Sequence, residues 1–214
     1  MIKFLKGLNL PNKLTLLRIA IIPFFFLFLL LPGIPGCAGT ATVSRLLAAL
    51  FFIIASITDF LDGKIARKYN LITELGKFLD PIADKLMVFA AFFGLLCLER
   101  GDPLFTILLA TAALLTLARE FAVTGLRTMA NAKAGGRIIP ASWLGKWKTV
   151  TQIAFVLLAL LEPLLWQALG RTGDIFAALG VFRPLTYAAM LAMTVLTVIS
   201  GVNYFRLYVP RRSE

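Results

Sequence analysis

Asp59, Asp62, Asp80 and Asp84 place four carboxylates on two adjacent apolar stretches of the chain. A carboxylate at hydrocarbon depth is costly unless a cation or a polar cavity compensates it, so such residues mark a functional site by default. Asp59 and Asp62 are spaced i,i+3 and Asp80 and Asp84 i,i+4. Each pair therefore projects from one face of a helix, and two facing helices would offer a cage of oxygens. Oxygen-only ligation points to a hard divalent cation, Mg²⁺ or Mn²⁺. Between the carboxylates, Gly63 and Gly76 allow a backbone or a ligand to approach closely, Ala66 keeps the Asp62 face open, and Arg67 carries a fork that suits phosphate. Pro81 either starts a helix or kinks one, which would aim Asp80 apart from Asp84.

The elements that must position these groups are transmembrane helices. The 214 residues are 59% hydrophobic with a mean hydropathy of +0.87, too apolar for a soluble domain of this length. Apolar stretches at roughly 14–32, 44–61, 80–98, 103–120, 147–168 and 185–205 predict six spanning helices in an all-α integral membrane protein. The first apolar run, from Leu16 to Leu31 and broken only by Arg18, is long and lacks a small-residue cleavage site, so it is expected to stay as a span. Residues 1–13 read as an amphipathic segment on the membrane surface, with Pro11 and Asn12 marking the turn into residues 14–214, a single six-helix domain. Several spans are short unless their charged ends count, so Asp59 and the Arg119-Glu120 pair are expected at membrane depth around a polar cavity or emerging early into water.

Charge sorting sets the orientation. Of the 22 Lys and Arg, only Arg45, Arg100, Arg171 and Arg183 belong to loops after odd-numbered spans, so the remaining side, with both termini and the aspartates, is expected to be cytoplasmic. Trp147 and Trp166 are nineteen residues apart, about 28 Å along a helix, which sets one ring at each interface. The net charge of +11 is assigned to anionic lipid rather than to nucleic acid. The sequence has no His, and Cys37 and Cys97 fall toward the other side, where packing is the default and a disulfide is open. A covalent His or Cys intermediate is therefore not expected.

Asp59, Asp62, Gly63, Ala66, Arg67, Gly76, Asp80 and Asp84 fit a longer pattern, D-x-x-D-G-x-x-A-R followed after eight residues by G-x-x-x-D-x-x-x-D. It resembles the signature of the CDP-alcohol phosphotransferases at all eight positions. The resemblance implies a six-helix membrane enzyme, generally a homodimer, with two divalent ions over a CDP pyrophosphate. It further implies that Asp59, Asp62 and Asp80 are metal ligands, that Asp84 is the general base and also lies near the metals, and that Gly63, Ala66, Arg67 and Gly76 touch the CDP group.

Two more stretches, Asn9 to Arg18 and Ala118 to Gln152, resemble bacterial members of that family that use glycerol 3-phosphate. What they imply is transfer of the phosphatidyl group from CDP-diacylglycerol to sn-glycerol 3-phosphate, giving phosphatidylglycerol phosphate and CMP, in a bacterial inner or plasma membrane. Glycerol 3-phosphate brings a dianionic phosphate, and Arg119, Arg127, Lys146 and Lys148 are cations placed to hold it; free serine or inositol would not require them. Each is equally readable as an interfacial anchor or a partner of Glu120. Residues 131–142 form the longest expected cytoplasmic loop, a candidate cover for the site. The alternatives are a cardiolipin synthase or a phosphatidylinositol phosphate synthase of the same family and, in a different class, a divalent-cation transporter.

Overall fold

A computed structural model describes residues 8–71, 73–99, 102–133, 143–169 and 183–208, the side chains of 127–133 and 207–208 excepted. Among the described residues six long helices carry the fold: α1 (Leu10–Leu30), α2 (Ala41–Lys68), α3 (Glu74–Leu98), α4 (Pro103–Lys133), α5 (Trp143–Ala168) and α6 (Pro184–Tyr208). Two 3₁₀ turns, Leu31–Gly33 and Ala38–Thr40, join α1 to α2, and no strand occurs among the described residues. All six helices are long and apolar enough to cross a membrane, so the chain is an all-α integral membrane protein. Its surface agrees with lipid as solvent: Phe60, Phe78, Leu114 and Leu191 are exposed, whereas Arg18 is among the largest fully buried side chains.

The helices extend beyond their apolar stretches because polar residues cap them. Asn9 accepts the Asn12 N–H at 3.2 Å and Pro11 sits in the first turn, so α1 begins at Leu10 and the turn expected at Pro11-Asn12 is helical instead. Residues 1–7 of the expected surface segment lie outside the described residues. Helix α2 continues past Leu61 to Lys68; Asn70 then takes a left-handed conformation (φ 52°) and the Leu71 N–H bonds the Ala66 carbonyl at 3.0 Å, closing the helix end. Thr73 caps α3 through the Gly76 N–H at 3.1 Å, and Asp102 caps α4 through the Phe105 N–H at 3.0 Å. Pro81 neither starts α3 nor ends it; it lies in the interior and leaves the Lys77 carbonyl without its helical donor. Helix α4 runs to Lys133, so the connection expected at 131–142 is shortened, and residues 134–142 lie outside the described residues.

The chain divides into two compact units, Met1–Gly101 and Asp102–Glu214. In the first, α1 packs against both α2 and α3. The Phe25 ring meets Phe52 at 5.6 Å and Phe28 stacks on Phe51 at 5.6 Å. Gly94 lets α1 and α3 close tightly, because a Cβ there would stand 2.3 Å from Leu29 Cδ1. At the far end, Arg45 is not in a loop; it lies in α2 and pairs with the buried Glu99 at 2.6 Å, tying α2 to the end of α3. Cys37 and Cys97 are free thiols.

In the second unit α6 packs against both α4 and α5. Its start is fixed by Glu162 of α5, which is 1% exposed and accepts the Leu185 N–H (3.0 Å), the Thr186 N–H (2.6 Å), the Thr186 hydroxyl (2.6 Å) and the Trp166 indole N–H (3.1 Å). A carboxylate at a helix N-terminus meets both unpaired N–H groups and the positive end of the helix dipole.

Candidate active site

The N-terminal half of α1 supplies the framework of the site. Asn9 at the cap and Asn12, Thr15 and Arg18 within the helix recur every third residue, so each neighbours the next along an i,i+3 ridge that winds partway around α1. Each engages the α2–α3 region. Asn9 donates to the Leu71 carbonyl at 2.7 Å, and the Asn12 amide donates to the Thr73 hydroxyl at 2.9 Å. The Thr15 hydroxyl donates to Asp80 Oδ1 at 2.8 Å and lies 3.5 Å from Asp62 Oδ2. Arg18, 1% exposed, reaches Asp59 Oδ1 at 2.7 Å and Asp84 Oδ1 at 3.0 Å with its Nη1, and pairs with Asp62 Oδ2 through Nη2.

The four signature aspartates therefore do come together, three of them around one guanidinium. Among the described residues no three acidic or cysteine side chains are drawn close enough to hold a metal ion by themselves; the cation at the centre is Arg18. Asp59 and Asp84 remain half open, at 45% and 57% side-chain exposure, while Asp62 is buried. In the sequence Arg18 interrupts an apolar run and ends the Asn9 to Arg18 stretch, with nothing that pairs it with the aspartates. The signal that could have singled it out was its spacing: it closes an i,i+3 ridge of polar residues at the start of α1.

The small residues of the signature differ in what they do. A Cβ on Gly76 would stand 2.8 Å from Asn12 Oδ1 and 3.3 Å from Thr73 Oγ1, so the close approach expected there is made by the protein's own α1. A Cβ on Gly63 would meet only the Arg67 guanidinium, at 3.6 Å, an ordinary contact. Arg67 thus folds back one turn along α2 beside Gly63 and is itself exposed. Ala66 is half-buried and its carbonyl takes part in the end of α2.

The cations expected to hold a second phosphate all lie in the second unit. Arg119 donates to Ser200 Oγ, contacts Glu120 at 3.3 Å and lies over the Tyr204 ring at 5.6 Å. Lys148 is buried and also pairs with Glu120, so this carboxylate joins α4 to α5. Lys146 is exposed. Arg127 belongs to α4, and its side chain lies outside the described residues. The partnership with Glu120, one of the two readings open for these cations, is thus formed by Arg119 and Lys148.

Comparison with known proteins gives the site a context. Residues 8–199 match the family model for CDP-alcohol phosphatidyltransferase, a span that contains every residue of the signature. The chain is 40% identical over 201 residues to the CDP-diacylglycerol–glycerol-3-phosphate 3-phosphatidyltransferase of Bacillus subtilis, covering 92% of this chain and 93% of that protein. It is 40% identical over 199 residues to the protein of the same name from Rickettsia bellii, with 92% and 94% covered. A third of that name, from Haemophilus influenzae, is 38% identical over 160 residues, with 74% and 76% covered. With the signature intact on α2 and α3 and the family model matched over residues 8–199, this chain belongs to the CDP-alcohol phosphatidyltransferase family.

Proposed function

We propose that the protein transfers the phosphatidyl group of CDP-diacylglycerol to sn-glycerol 3-phosphate, releasing CMP and forming phosphatidylglycerol phosphate. The observation that carries this reading is the convergence of carboxylates from α2 and α3 on one cationic point, in a chain whose relatives bear the name of that reaction. A divalent ion fits the donor set. Asp59 Oδ1 and Asp84 Oδ1, from different helices, both reach a single nitrogen within 3.0 Å, and all the ligating atoms are hard oxygens. Asp59, Asp62 and Asp80 would hold Mg²⁺ or Mn²⁺, two ions per site, with Asp84 beside them. Such ions, when bound, neutralise charge developing on the donor's pyrophosphate.

The chain's own groups do the rest. Asp84, half open, accepts the proton of the acceptor hydroxyl as its oxygen attacks the lipid-bearing phosphorus; the bond from that phosphorus to the CMP oxygen breaks and CMP leaves with the electron pair. Thr15 fixes the carboxylate of Asp80 from behind. Gly63, Ala66 and Arg67 line the CDP group, with the exposed Arg67 fork offered to phosphate, while Gly76, packed against Asn12, holds α3 to α1. Arg119, Arg127, Lys146 and Lys148 are assigned to the acceptor's phosphate. A dianion outcompetes the single charge of Glu120 for Arg119 and Lys148. The protein is read as a homodimer in a bacterial inner membrane, with both termini and the site facing the cytoplasm; the charge bias of the loops supports the orientation.

Product analysis tests the reaction. Purified protein given CDP-diacylglycerol and, separately, glycerol 3-phosphate, phosphatidylglycerol, inositol phosphate, serine or glycerol should release CMP only with glycerol 3-phosphate. Preferential turnover with phosphatidylglycerol or inositol phosphate would reassign the acceptor within the family.

A further inference from the structure

Arg18 occupies the place that the proposed reaction gives to metal. Its two terminal nitrogens take up Asp59 Oδ1, Asp84 Oδ1 and Asp62 Oδ2, from two helices, while the residue itself is 1% exposed. A divalent ion drawn to the same carboxylates needs those lone pairs and that position, so the guanidinium and the ion exclude each other there. Two further observations bear on which yields. The Arg18 Nε is buried with no acceptor, an incomplete satisfaction that leaves this pose short of an optimal pairing. Asp59 and Asp84 are open on their outer sides, so an ion reaches them without unpacking α1.

We propose that Arg18 is a resident counter-ion: it neutralises the aspartate cluster in the metal-free protein and is displaced from Asp59 and Asp84 when a divalent ion binds. This rests on the metal assignment made above for the same site. Without a cation, carboxylates packed together inside a membrane protein repel one another and are poorly solvated. A guanidinium carried on α1 lets the three helices assemble before any ion arrives. Its planar fork is what permits one residue to serve three carboxylates, which the point charge of Lys does not. The same residue then sets ion affinity, because binding has to exceed the pairing it replaces.

The test is Mn²⁺ binding, followed by the loss of free-ion paramagnetic resonance signal, together with thermal unfolding with and without Mn²⁺, on purified full-length wild type, Arg18→Met and Arg18→Lys. Arg18→Met should melt lower than wild type without metal, bind Mn²⁺ at least about tenfold more tightly, and gain more in melting temperature when Mn²⁺ is added. Arg18→Lys should fall between the two, and decides the question on the same readouts if Arg18→Met does not fold. Affinity that is unchanged or weaker in the variants, while wild type binds Mn²⁺, would overturn the counter-ion role alone and make Arg18 a support for ligand geometry. Wild type that binds no Mn²⁺ would overturn the metal assignment and the counter-ion role together.

Discussion

Asn12 Oδ1 lies 2.8 Å from the point a Cβ on Gly76 would occupy, so the helix that carries Asp80 and Asp84 meets α1 where its residue has no side chain. The contact is polar as well as steric. The same Asn12 bonds Thr73, which caps α3, and so sets where that helix begins.

Gly76→Ala and Gly63→Ala should therefore separate. At Gly76 the new methyl displaces the Asn12–Thr73 pair; the lost bond outweighs the helix propensity gained, and the protein should lose about 1 kcal/mol of stability. At Gly63 the methyl meets only Arg67 at 3.6 Å, so stability should hold or rise slightly, while the KM for CDP-diacylglycerol increases. Thermal unfolding and steady-state kinetics on both variants check this; equal destabilisation would remove the distinction.

Asp59→Asn, Asp62→Asn, Asp80→Asn and Asp84→Asn should each cut turnover by about 10² to 10⁴ or more while the protein stays inserted and folded. Asn preserves size but removes charge and basicity. Chelation of divalent ions should silence the wild type in the same CMP-release assay. Near-normal release by Asp84→Asn together with one ligand variant would refute the assignment.

Glu162→Ala should be costly without touching the chemistry. It strips four donors of their acceptor, two of them backbone N–H groups at the start of α6. A loss of about 2–4 kcal/mol is expected in unfolding measurements. Lys148 lies fourteen residues away on α5, about 21 Å along the helix, so the KM for either substrate should stay unchanged in the folded fraction.

Orientation is open to labelling. In a background lacking Cys37 and Cys97, Lys68→Cys at the end of α2 should react with an impermeant maleimide only from the cytoplasmic side, and Gly39→Cys, in the turn before α2, only from outside. Gly39 has open space where a side chain would go, so the substitution is tolerated. Reversed labelling would place the aspartates away from cytosolic substrates.

The aspartates and the six spans were legible because each rests on local pattern: carboxylates at helical spacing, and apolar runs of spanning length. What was not legible depends on partners distant in the chain. Arg18 pairs with residues 41 to 66 positions away, and a single Arg in an apolar run carries no sign of which helix it faces. Arg45 likewise reads as a loop cation until Glu99 is brought beside it. Helix ends were read short because apolarity stops before hydrogen bonding does; α2 keeps its ladder through Lys68 although its apolar stretch ends near Leu61.

The acceptor assignment rests on the cations of the second unit, which differ in how they are held. Lys146 is exposed, whereas Arg119 is fixed by Ser200, Glu120 and the Tyr204 ring. Replacing either by Ala should raise the KM for glycerol 3-phosphate far more than that for CDP-diacylglycerol. A charged hydrogen bond contributes about 1.5–3 kcal/mol, which corresponds to a tenfold to over a hundredfold loss in kcat/KM for the acceptor. Arg119→Ala should also lower the melting temperature, because it removes a link from α4 to α6; Lys146→Ala should not. Arg119→Lys restores charge without the planar fork and should rescue only part of the loss. Wild type should reject free glycerol, since it brings no dianion to compete with Glu120 for these cations. Equal use of glycerol and glycerol 3-phosphate, or unchanged acceptor kinetics in both Ala variants, would leave Arg119 a structural partner of Glu120 and Lys146 an interfacial anchor, and reopen the identity of the acceptor.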